Sequence, residues 1–384
     1  MNQHVVKSMS STNALSDKIK VEKGLKGIYV TETDLSEVNG LEGILTVKGY
    51  NIDELALHAT FEEVVYLLLY NKKLSKIELE DYRKKLATYR VLSPYIIETI
   101  KNLVHEKVNP IDGLQVAIST LFFTFNKPNI DKNELIIASF PTIIAYYYRL
   151  RNNLDIVEPR LDLSHVGNFL YMLEGQKPES RKIRALETYL ITVMDHGMNA
   201  STFVSRCVVS SDSDILSAVL GAIGSLKGPK HGGAPEPALK LVLKVGQLDN
   251  PELYIRSLLE KGEKIPGFGH RVYKTKDPRA DVLTKAGEQF YSEREEEISQ
   301  LFMDTEQLIL KLLNEYKPGR QLFTNVEFYT AYLLHGLGIP EELFTTLFAS
   351  SRVVGWLAHA DEQLKEDLII RPKSLYIGEY GKKW

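Results

Sequence analysis

The feature that most constrains the fold of this chain is a helical pattern that begins near residue 53 and continues almost to the C-terminus. In the clearest case Thr60 is placed to cap a helix over residues 61–70, because Phe61, Val64, Val65 and Leu68 then share one apolar face. The same spacing predicts further helices over residues 95–105, 112–124, 134–150, 179–195, 214–226, 236–245, 252–261, 280–316, 326–337 and 341–364.

Strand-like alternation is confined to the N-terminal part of the chain. Residues 27–34 and 43–48 alternate well enough for short strands, and a turn-forming dipeptide at Asn39 and Gly40 lies between them. No fixed-period repeat is visible, which disfavours a helical solenoid. The sequence therefore predicts a mainly α fold with a short N-terminal β segment.

Length and charge narrow the class of protein. The chain has 384 residues, enough for two or three compact units of about 150 residues each. A formal net charge of −3 argues against a general nucleic-acid binder, and the single cysteine, Cys207, allows no intramolecular disulfide. Residues 1–23 lack the apolar core of a signal peptide, and the most apolar run, residues 135–148, is shorter than the ~20 residues that cross a bilayer. We therefore expect a flexible tail over residues 1–23 on a soluble, cytoplasmic protein.

Three loops rich in glycine and proline interrupt the helices, at residues 227–235, 265–273 and 317–320. The first two each contain one histidine, and the third leads to a glutamate in the first turn of a predicted helix. Because these interruptions cluster between residues 227 and 327, they suggest a second, smaller domain inserted before the chain returns to the first.

The two loop histidines are candidates for chemistry. His231 precedes a helix predicted to begin near Pro235, and the positive end of a helix dipole favours a neutral ring, which can donate one N–H to a carbonyl or an enolate. His270 opens a basic stretch that includes Lys274 and Arg279 and that can bind phosphates or carboxylates. Taken singly, His231 is equally explained as a capping loop residue, and the basic stretch as a solvated loop.

Four further residues have both a functional and a structural interpretation. Glu327 is placed as a general base or as a residue that complements the helix dipole. His196 follows the predicted helix over residues 179–195, where the helix C-terminus favours a protonated ring that could bind a carboxylate, or it is a structural C-cap residue. Arg352 and Arg371 could hold a dicarboxylate, or lie at a surface or an interface.

The sequence gives no sign of a metal site or of a common nucleotide motif. The three histidines His196, His231 and His270 are far apart and lack the i, i+4 spacing of a helical zinc pair. No segment matches a P-loop, a GxGxxG turn after a strand, HExxH or GxSxG.

Six motifs occur in one order along the chain: DHGMNAST at 195–202, LKGPKHGGA at 226–234, GFGHRVYKTKDPR at 267–279, NVEFY at 325–329, SR at 351–352 and RPKS at 371–374. In this order and spacing they closely resemble the citrate synthase family, over residues 24–378. The resemblance implies a two-domain helical fold of the citrate synthase type, with a large domain over residues 24–231 and 337–384 and a small closing domain over residues 232–336. It also implies a homodimer that condenses acetyl-CoA, a coenzyme A thioester co-substrate, with oxaloacetate and water to give citrate and CoA, without a permanently bound cofactor or metal.

The resemblance assigns three residues to the chemistry. His231 matches the histidine that hydrogen-bonds the thioester carbonyl and its enolate, and His270 matches the one that polarises the oxaloacetate ketone. Glu327 falls where the family generally has the aspartate that removes the methyl proton. The extra methylene can move the carboxylate by about 1.5 Å, one carbon–carbon bond, so we expect a pocket recessed to suit.

The remaining matches concern binding. The positions that match oxaloacetate-binding residues are His196, Arg279 and Arg352, and Arg371 matches the arginine that reaches into the partner subunit's site. Lys274 falls at a position that pairs with a CoA phosphate. The loop that receives the adenine corresponds to Ile265, Gly267, Phe268 and Gly269.

Three alternative functions stay open from the sequence. The first is 2-methylcitrate synthase, which uses propionyl-CoA, because one methylene in an apolar pocket discriminates by only about 1–3 kcal/mol. The second is a catalytically weak, regulatory helical dimer, which only the replacement of aspartate by Glu327 favours. The third is a metal hydrolase, which a chelator would inactivate.

Overall fold

The structure is a computed structural model that describes residues 21–25, 27–125, 127–232, 235–270, 272–291 and 296–384. The predicted tail over residues 1–23 lies almost wholly outside these residues. A three-stranded antiparallel sheet forms the N-terminal β segment, with strands β1 (Ser36–Asn39), β2 (Ile44–Val47) and β3 (Tyr50–Asn51) in that order. The prediction of a strand over residues 43–48 is thereby confirmed.

The prediction of a strand over residues 27–34 is wrong, and β1 begins only at Ser36. The threonine hydroxyls of this segment instead donate to carboxylates of the last helix, Thr31 to Glu366 at 2.6 Å and Thr33 to Glu362 at 3.0 Å. Side-chain hydrogen bonds therefore hold the segment in place of a ladder, and its alternating apolar residues remain exposed.

Helices make up most of the rest of the described chain. The helices are α1 (Ile52–His58), α2 (Phe61–Tyr70), α3 (Lys76–Thr88), α4 (Pro94–His105), α5 (Pro110–Ser119), α6 (Phe122–Phe125), α7 (Lys132–Arg151), α8 (His165–Glu174), α9 (Ser180–Val193), α10 (Ala200–Val209), α11 (Ile215–Leu226), α12 (Pro235–Val245), α13 (Pro251–Glu260), α14 (Pro278–Tyr291), α15 (Glu296–Tyr316), α16 (Val326–Gly336) and α17 (Phe344–Glu366). Short 3₁₀ turns lie at Lys23–Leu25 and Glu341–Leu343. The mainly α prediction is confirmed.

Local signals account for most helix positions. Thr60 caps α2 in a capping box with Glu63, as expected for a helix start. The predicted helix over residues 112–124 is two helices, α5 and α6, and the one over residues 280–316 corresponds to α14 and α15 on either side of residues 292–295, which lie outside the described residues. The pattern missed α1, which is short, α3, which buries few side chains, and α8 and α10, which bury polar side chains among the apolar ones.

Two long helices run through the centre of the core. In α7 and α17 nearly every side chain along the middle of the helix is buried, as is typical of helices packed on all sides. Because α17 is enclosed in this way, it carries Arg352 into the interior, where 2% of the residue is exposed. The fold thus places a buried cation close to His196 and His231.

A second, smaller hydrophobic cluster lies apart from the main core. It is formed by side chains of α12, α13, α15 and the loop after α13: Leu241, Val245, Ile255, Leu259, Ile265, Ile309, Leu312 and Leu313. All of them fall within residues 232–336, the range predicted for the small domain. The domain boundaries themselves stay a prediction. Among the described residues, no helix combines the length and the apolar character needed to span a bilayer.

Candidate active site

His196 lies in a loop between α9 and α10, after the last helical turn. Only 9% of the residue is exposed, and its Nε2 lies 3.1 Å from the hydroxyl of Tyr273. Burial, and after it two nearby arginines and a second histidine, lower the pKa of His196 well below its ordinary value. The expectation of a protonated ring is therefore wrong, because the ring is buried among cations and is not at an exposed helix end.

His270 packs edge-on against His196, with ring centroids 5.8 Å apart. Its Nδ1 accepts hydrogen bonds from the backbone N–H groups of Val272 and Tyr273, at 3.1 and 3.0 Å. Burial, followed by the Arg279 guanidinium, lowers the pKa of His270 to about 4. The ring is therefore neutral near pH 7, and because Nδ1 is an acceptor, its proton lies on Nε2.

His231 lies in the loop before α12. Burial, and after it Arg352, lower the pKa of His231 to about 4, so the prediction of a neutral ring is confirmed, with burial as the main cause. The Nε2 of His231 is 2.8 Å from the Ser201 hydroxyl, which also accepts from the Trp356 indole at 3.0 Å and lies 2.8 Å from Asn199 Oδ1. The single Ser201 proton can thus go either to Asn199 or to His231.

Two buried arginines lie next to these rings. Arg279 forms a two-point ion pair with Asp277, with Nε–Oδ1 at 3.0 Å and Nη2–Oδ2 at 2.7 Å. Arg352 donates from Nε to the carbonyl of Val193 at 2.7 Å and stacks on Phe348. Burial lowers the pKa of Arg352 to about 10, so it is charged at neutral pH. The site therefore has a fixed positive charge before any substrate enters.

Glu327 lies in the first turn of α16. Asn325 caps this helix, and its Oδ1 accepts the backbone N–H of Glu327 at 3.1 Å. One carboxylate oxygen of Glu327, Oε2, is buried and has no hydrogen-bond partner in the described part of the chain. Burial raises the pKa of Glu327 above its ordinary value, against the opposing effect of Arg279. A carboxylate in this state is a stronger base than one in water.

These six side chains form one electrostatic cluster. His196 interacts with Arg279, Arg352 and His270, and Arg352 in turn interacts with His231. Arg279 interacts with both His270 and Glu327. Loops that are distant in sequence are thereby brought to one place.

The loop before His270 is joined to the loop before Glu327 by backbone hydrogen bonds. Gly269 N–H donates to the carbonyl of Phe323 at 2.7 Å, and Asn325 N–H donates to that of Gly267 at 2.9 Å. The Asn325 side-chain amide adds a bond to the Gly269 carbonyl at 2.9 Å. Gly267 has φ +84°, and a Cβ there would lie 3.0 Å from that of Phe328, so the position requires glycine.

A cleft of about 490 Å³ opens beside His270 and is lined further by Tyr273, Lys274, Asp277 and residues 319–324. Lys274 is exposed at this cleft, whereas Ile265 is buried and Phe268 packs against the ring of Phe328. Arg371 is exposed in the extended segment after α17, and this chain does not bring it into the cluster.

Two hydroxyls in the site were not predicted. Tyr273 and Ser201 contact His196 and His231, respectively, and both lie inside motifs quoted from the sequence. Their contacts join residues 30 or more positions apart, so no local spacing indicates them. Among the described residues, no cluster of three His, Cys, Asp or Glu side chains is placed to hold a metal ion.

Comparison with known proteins decides the family. Residues 24–373 match the family model described as "Citrate synthase, C-terminal domain". The chain belongs to the citrate synthase family. It is 39% identical to citrate synthase 2 of Bacillus subtilis, covering 94% of this chain and 97% of that protein, and 34% identical to 2-methylcitrate synthase of Shewanella oneidensis, covering 94% and 96%. A solved ternary complex of Thermoplasma acidophilum citrate synthase with carboxymethyl coenzyme A and oxaloacetate superposes with a TM-score of 0.86 at 27% identity, over 95% of this chain and 98% of that one.

Membership in the citrate synthase family fixes the class of reaction. The chain is a transferase that converts an acyl group into an alkyl group on transfer, and the family uses CoA thioesters without a permanently bound cofactor. Because citrate synthases and 2-methylcitrate synthases match at similar identity, the family does not decide the acyl chain.

Proposed function

We propose that this protein condenses acetyl-CoA with oxaloacetate and water to give citrate and CoA. The observation that carries the proposal is the buried Oε2 of Glu327, which has no hydrogen-bond partner among the described residues and belongs to one electrostatic cluster with two neutral histidines and two buried arginines. Formation of a carbon–carbon bond from a thioester needs one base and two donors, one for each reacting carbonyl. This cluster supplies all three.

In the proposed mechanism Glu327 removes a proton from the methyl group of the thioester. Such protons are far less acidic than any carboxylic acid, so the oxyanion must be stabilised as it forms. His231 has this role: it donates from Nδ1 when Ser201 gives its proton to Nε2. Asn199 does not need the hydrogen bond from the Ser201 hydroxyl, because its Oδ1 already accepts from the backbone N–H groups of residues 201 and 202. Groups of this kind typically contribute about 10²–10⁴-fold each.

His270 polarises the ketone of oxaloacetate. Its Nε2–H is fixed as a donor by the two backbone N–H groups on Nδ1, and the ring is neutral, so it can also transfer its proton to the new alkoxide. Arg279, Arg352 and His196 bind the oxaloacetate carboxylates, and hydrogen bonds to charged groups are worth about 1.5–3 kcal/mol each. The two-point ion pair with Asp277 holds Arg279 in place for this contact.

The CoA moiety is proposed to lie along the loop of Ile265, Gly267, Phe268 and Gly269, with a phosphate at Lys274. The neighbouring cleft of about 490 Å³ and the exposure of Lys274 support this placement. We further propose a homodimer in which Arg371 reaches the partner subunit's site, a small domain over residues 232–336 that closes and excludes water, and a cytoplasmic location. The exposure of Arg371 is consistent with such a contact.

The test is a thiol-release assay with oxaloacetate and either acetyl-CoA or propionyl-CoA, run side by side. Citrate synthase activity predicts a higher kcat/KM for acetyl-CoA, whereas a preference for propionyl-CoA would assign the protein as a 2-methylcitrate synthase, the alternative that its 34% identical relative supports. If a folded dimer releases no thiol from either thioester, the alternative of a regulatory protein remains. A chelator should leave the rate of thiol release unchanged. Loss of activity on adding the chelator would indicate a metal enzyme.

A further inference from the structure

The β1–β2 hairpin contacts two loops of the site, the one that carries His196 and the one that carries His270. Its turn, residues 39–43, is built by Asn39, whose Oδ1 accepts from the N–H groups of Leu41 and Glu42 and whose carbonyl accepts from Gly43. The turn therefore has a defined conformation of its own.

The strand side of the hairpin packs on the His196 loop. Ser36 and Val38 are two residues apart on β1, so they point to the same face of the strand. The Ser36 hydroxyl donates to the buried carboxylate of Asp195 and accepts the N–H of Gly197 at 3.1 Å. Val38 lies next to Gly197, where its methyl group would be 3.1 Å from an added Cβ. The residues on both sides of His196 are thus held by one face of β1.

The turn of the hairpin packs on the His270 loop. The carbonyl of Gly40 accepts the N–H of Lys274 at 2.8 Å. A Cβ on Gly40 would lie only 2.4 Å from the carbonyl oxygen of Val272, which is backbone and cannot rotate away. Val272 is also one of the two residues whose N–H groups fix Nδ1 of His270 as an acceptor. The close approach of Gly40 therefore supports the peptide that sets the orientation and tautomer of that histidine.

We propose that the β1–β2 hairpin is a positioning clamp that sets the separation of the His196 loop and the His270 loop in the conformation described here, in which the hairpin contacts both. Ser36 acts on the first loop, and Gly40 acts on the second. The inference rests on the proposed function, in which both histidines bind oxaloacetate, and neither Ser36 nor Gly40 touches the reacting atoms. The clamp thus acts on catalysis only through the position of the two rings.

The size of the effect follows from the contact at Gly40. An alanine at position 40 has no backbone strain, because φ of Gly40 is outside the left-handed range. The distance of 2.4 Å between its Cβ and the Val272 carbonyl oxygen, however, must lengthen to at least 3.4 Å, where ordinary van der Waals contact begins. The His270 loop must then move by about 1 Å, and a displacement of that size can lower turnover by about 10²-fold. We expect Gly40→Ala to lower kcat by this factor and to accelerate amide hydrogen exchange over residues 272–276, where the bond from Lys274 is lost.

The matched control is Leu41→Ala, in the same turn, because this side chain is 77% exposed. It should leave kcat and exchange as in the wild type. A folded Gly40→Ala protein with wild-type kcat and wild-type exchange would overturn the proposal, as would equal losses in the control. If the wild type releases no thiol from either acyl-CoA, the proposed function fails, and the exchange comparison alone decides whether the turn restrains the loop.

A second variant keeps the test decisive if Gly40→Ala does not fold. Ser36→Ala removes the hydroxyl that bridges Asp195 and Gly197, and it leaves the His270 loop untouched. We expect a raised KM for oxaloacetate with little change in kcat, since only the His196 loop is released. An unchanged KM for oxaloacetate in folded Ser36→Ala would overturn the clamp.

Discussion

Replacing Glu327 by glutamine tests the proposed general base with the least disturbance of shape. The amide has nearly the same volume as the carboxylate, and Oε2 has no hydrogen-bond partner in the described chain that the change would break. The cap from Asn325 uses the backbone N–H of residue 327, so the helix start is preserved. The variant should therefore fold as the wild type does and differ only in its ability to accept a proton.

The expected loss is set by what a general base contributes. A fall in kcat of about 10²–10⁴-fold corresponds to about 2.7–5.4 kcal/mol of barrier, at 1.36 kcal/mol for each factor of ten. Binding of oxaloacetate should persist, because its proposed contacts are Arg279, Arg352 and His196. Since Glu327 is a negative neighbour of Arg279, its neutralisation should leave the affinity for the dianion unchanged or slightly higher.

The assay is thiol release for kcat, together with calorimetric titration of oxaloacetate for its Kd. Glu327→Asp serves as the control for position, because it keeps the charge and withdraws the carboxylate by about 1.5 Å, one carbon–carbon bond. A misplacement of 1 Å can cost about 10²-fold, so aspartate should also be slow in a pocket built for glutamate. Retention of most of the wild-type rate by Glu327→Gln would remove this residue from the mechanism.

The pH profile gives an independent check on the same group. Burial raises the pKa of Glu327, and the base acts only when ionised, so kcat/KM should fall as the pH is lowered through that raised pKa. The acidic limb should lie above the ordinary glutamate range. The same limb in Glu327→Gln would mean that another group titrates.

Three further outcomes follow from the site. Asp277→Asn leaves Arg279 buried beside a neutral amide, so the free energy of unfolding in urea should drop by about 3–5 kcal/mol, and an unchanged value would show that the pair adds no stability. His231 and His270 have folded-state pKa values of about 4, against 6.5 ordinarily, so between these pH values the unfolded chain binds more protons than the folded one. The melting temperature should therefore fall as the pH drops from 6.5 to 4. Above pH 6.5 the two histidines should make no contribution to its pH dependence. Asn325→Asp keeps the capping oxygen but replaces the amide donor to the Gly269 carbonyl by a second acceptor, so both the melting temperature and kcat should fall. An unchanged kcat would deny the loop contact a role.

The parts of the fold that were predictable are those with local causes. Thr60 and Glu63 are three residues apart, so their capping box is readable from the sequence, and the helix that follows was placed correctly. Helix α3 was missed because it buries only Tyr82, Leu86 and Ala87 and is otherwise charged, which leaves too weak a periodicity. The strand expected over residues 27–34 failed for a non-local reason, since its threonines bind carboxylates more than 300 positions away.

In the candidate site too, features with local causes were predictable and features that depend on the fold were not. Which loops carry His231, His270 and Glu327 follows from the glycine and proline pattern and from the order of motifs. The protonation state of His196 was predicted with the wrong sign. The local helix end favours the charged ring, and only the fold buries the ring and brings Arg279 and Arg352 close to it, which lowers its pKa. The tautomer of His270 was equally out of reach, since it depends on how two backbone N–H groups are turned.

The connections between loops determine which distances in the site can change. The backbone bonds between residues 267–269 and 323–325 make His270 and Glu327 parts of one unit, so their separation is preserved in any rigid-body motion of that unit. His196 and Arg352 lie on other elements, and their distances to His270 do change in such a motion. The hairpin contacts the loops of both His196 and His270. It is therefore placed to restrain the distance between these two histidines, and not the distance between His270 and Glu327, which is already preserved. Loss of the clamp should therefore lower turnover through substrate placement while the acidic limb set by Glu327 stays where it is.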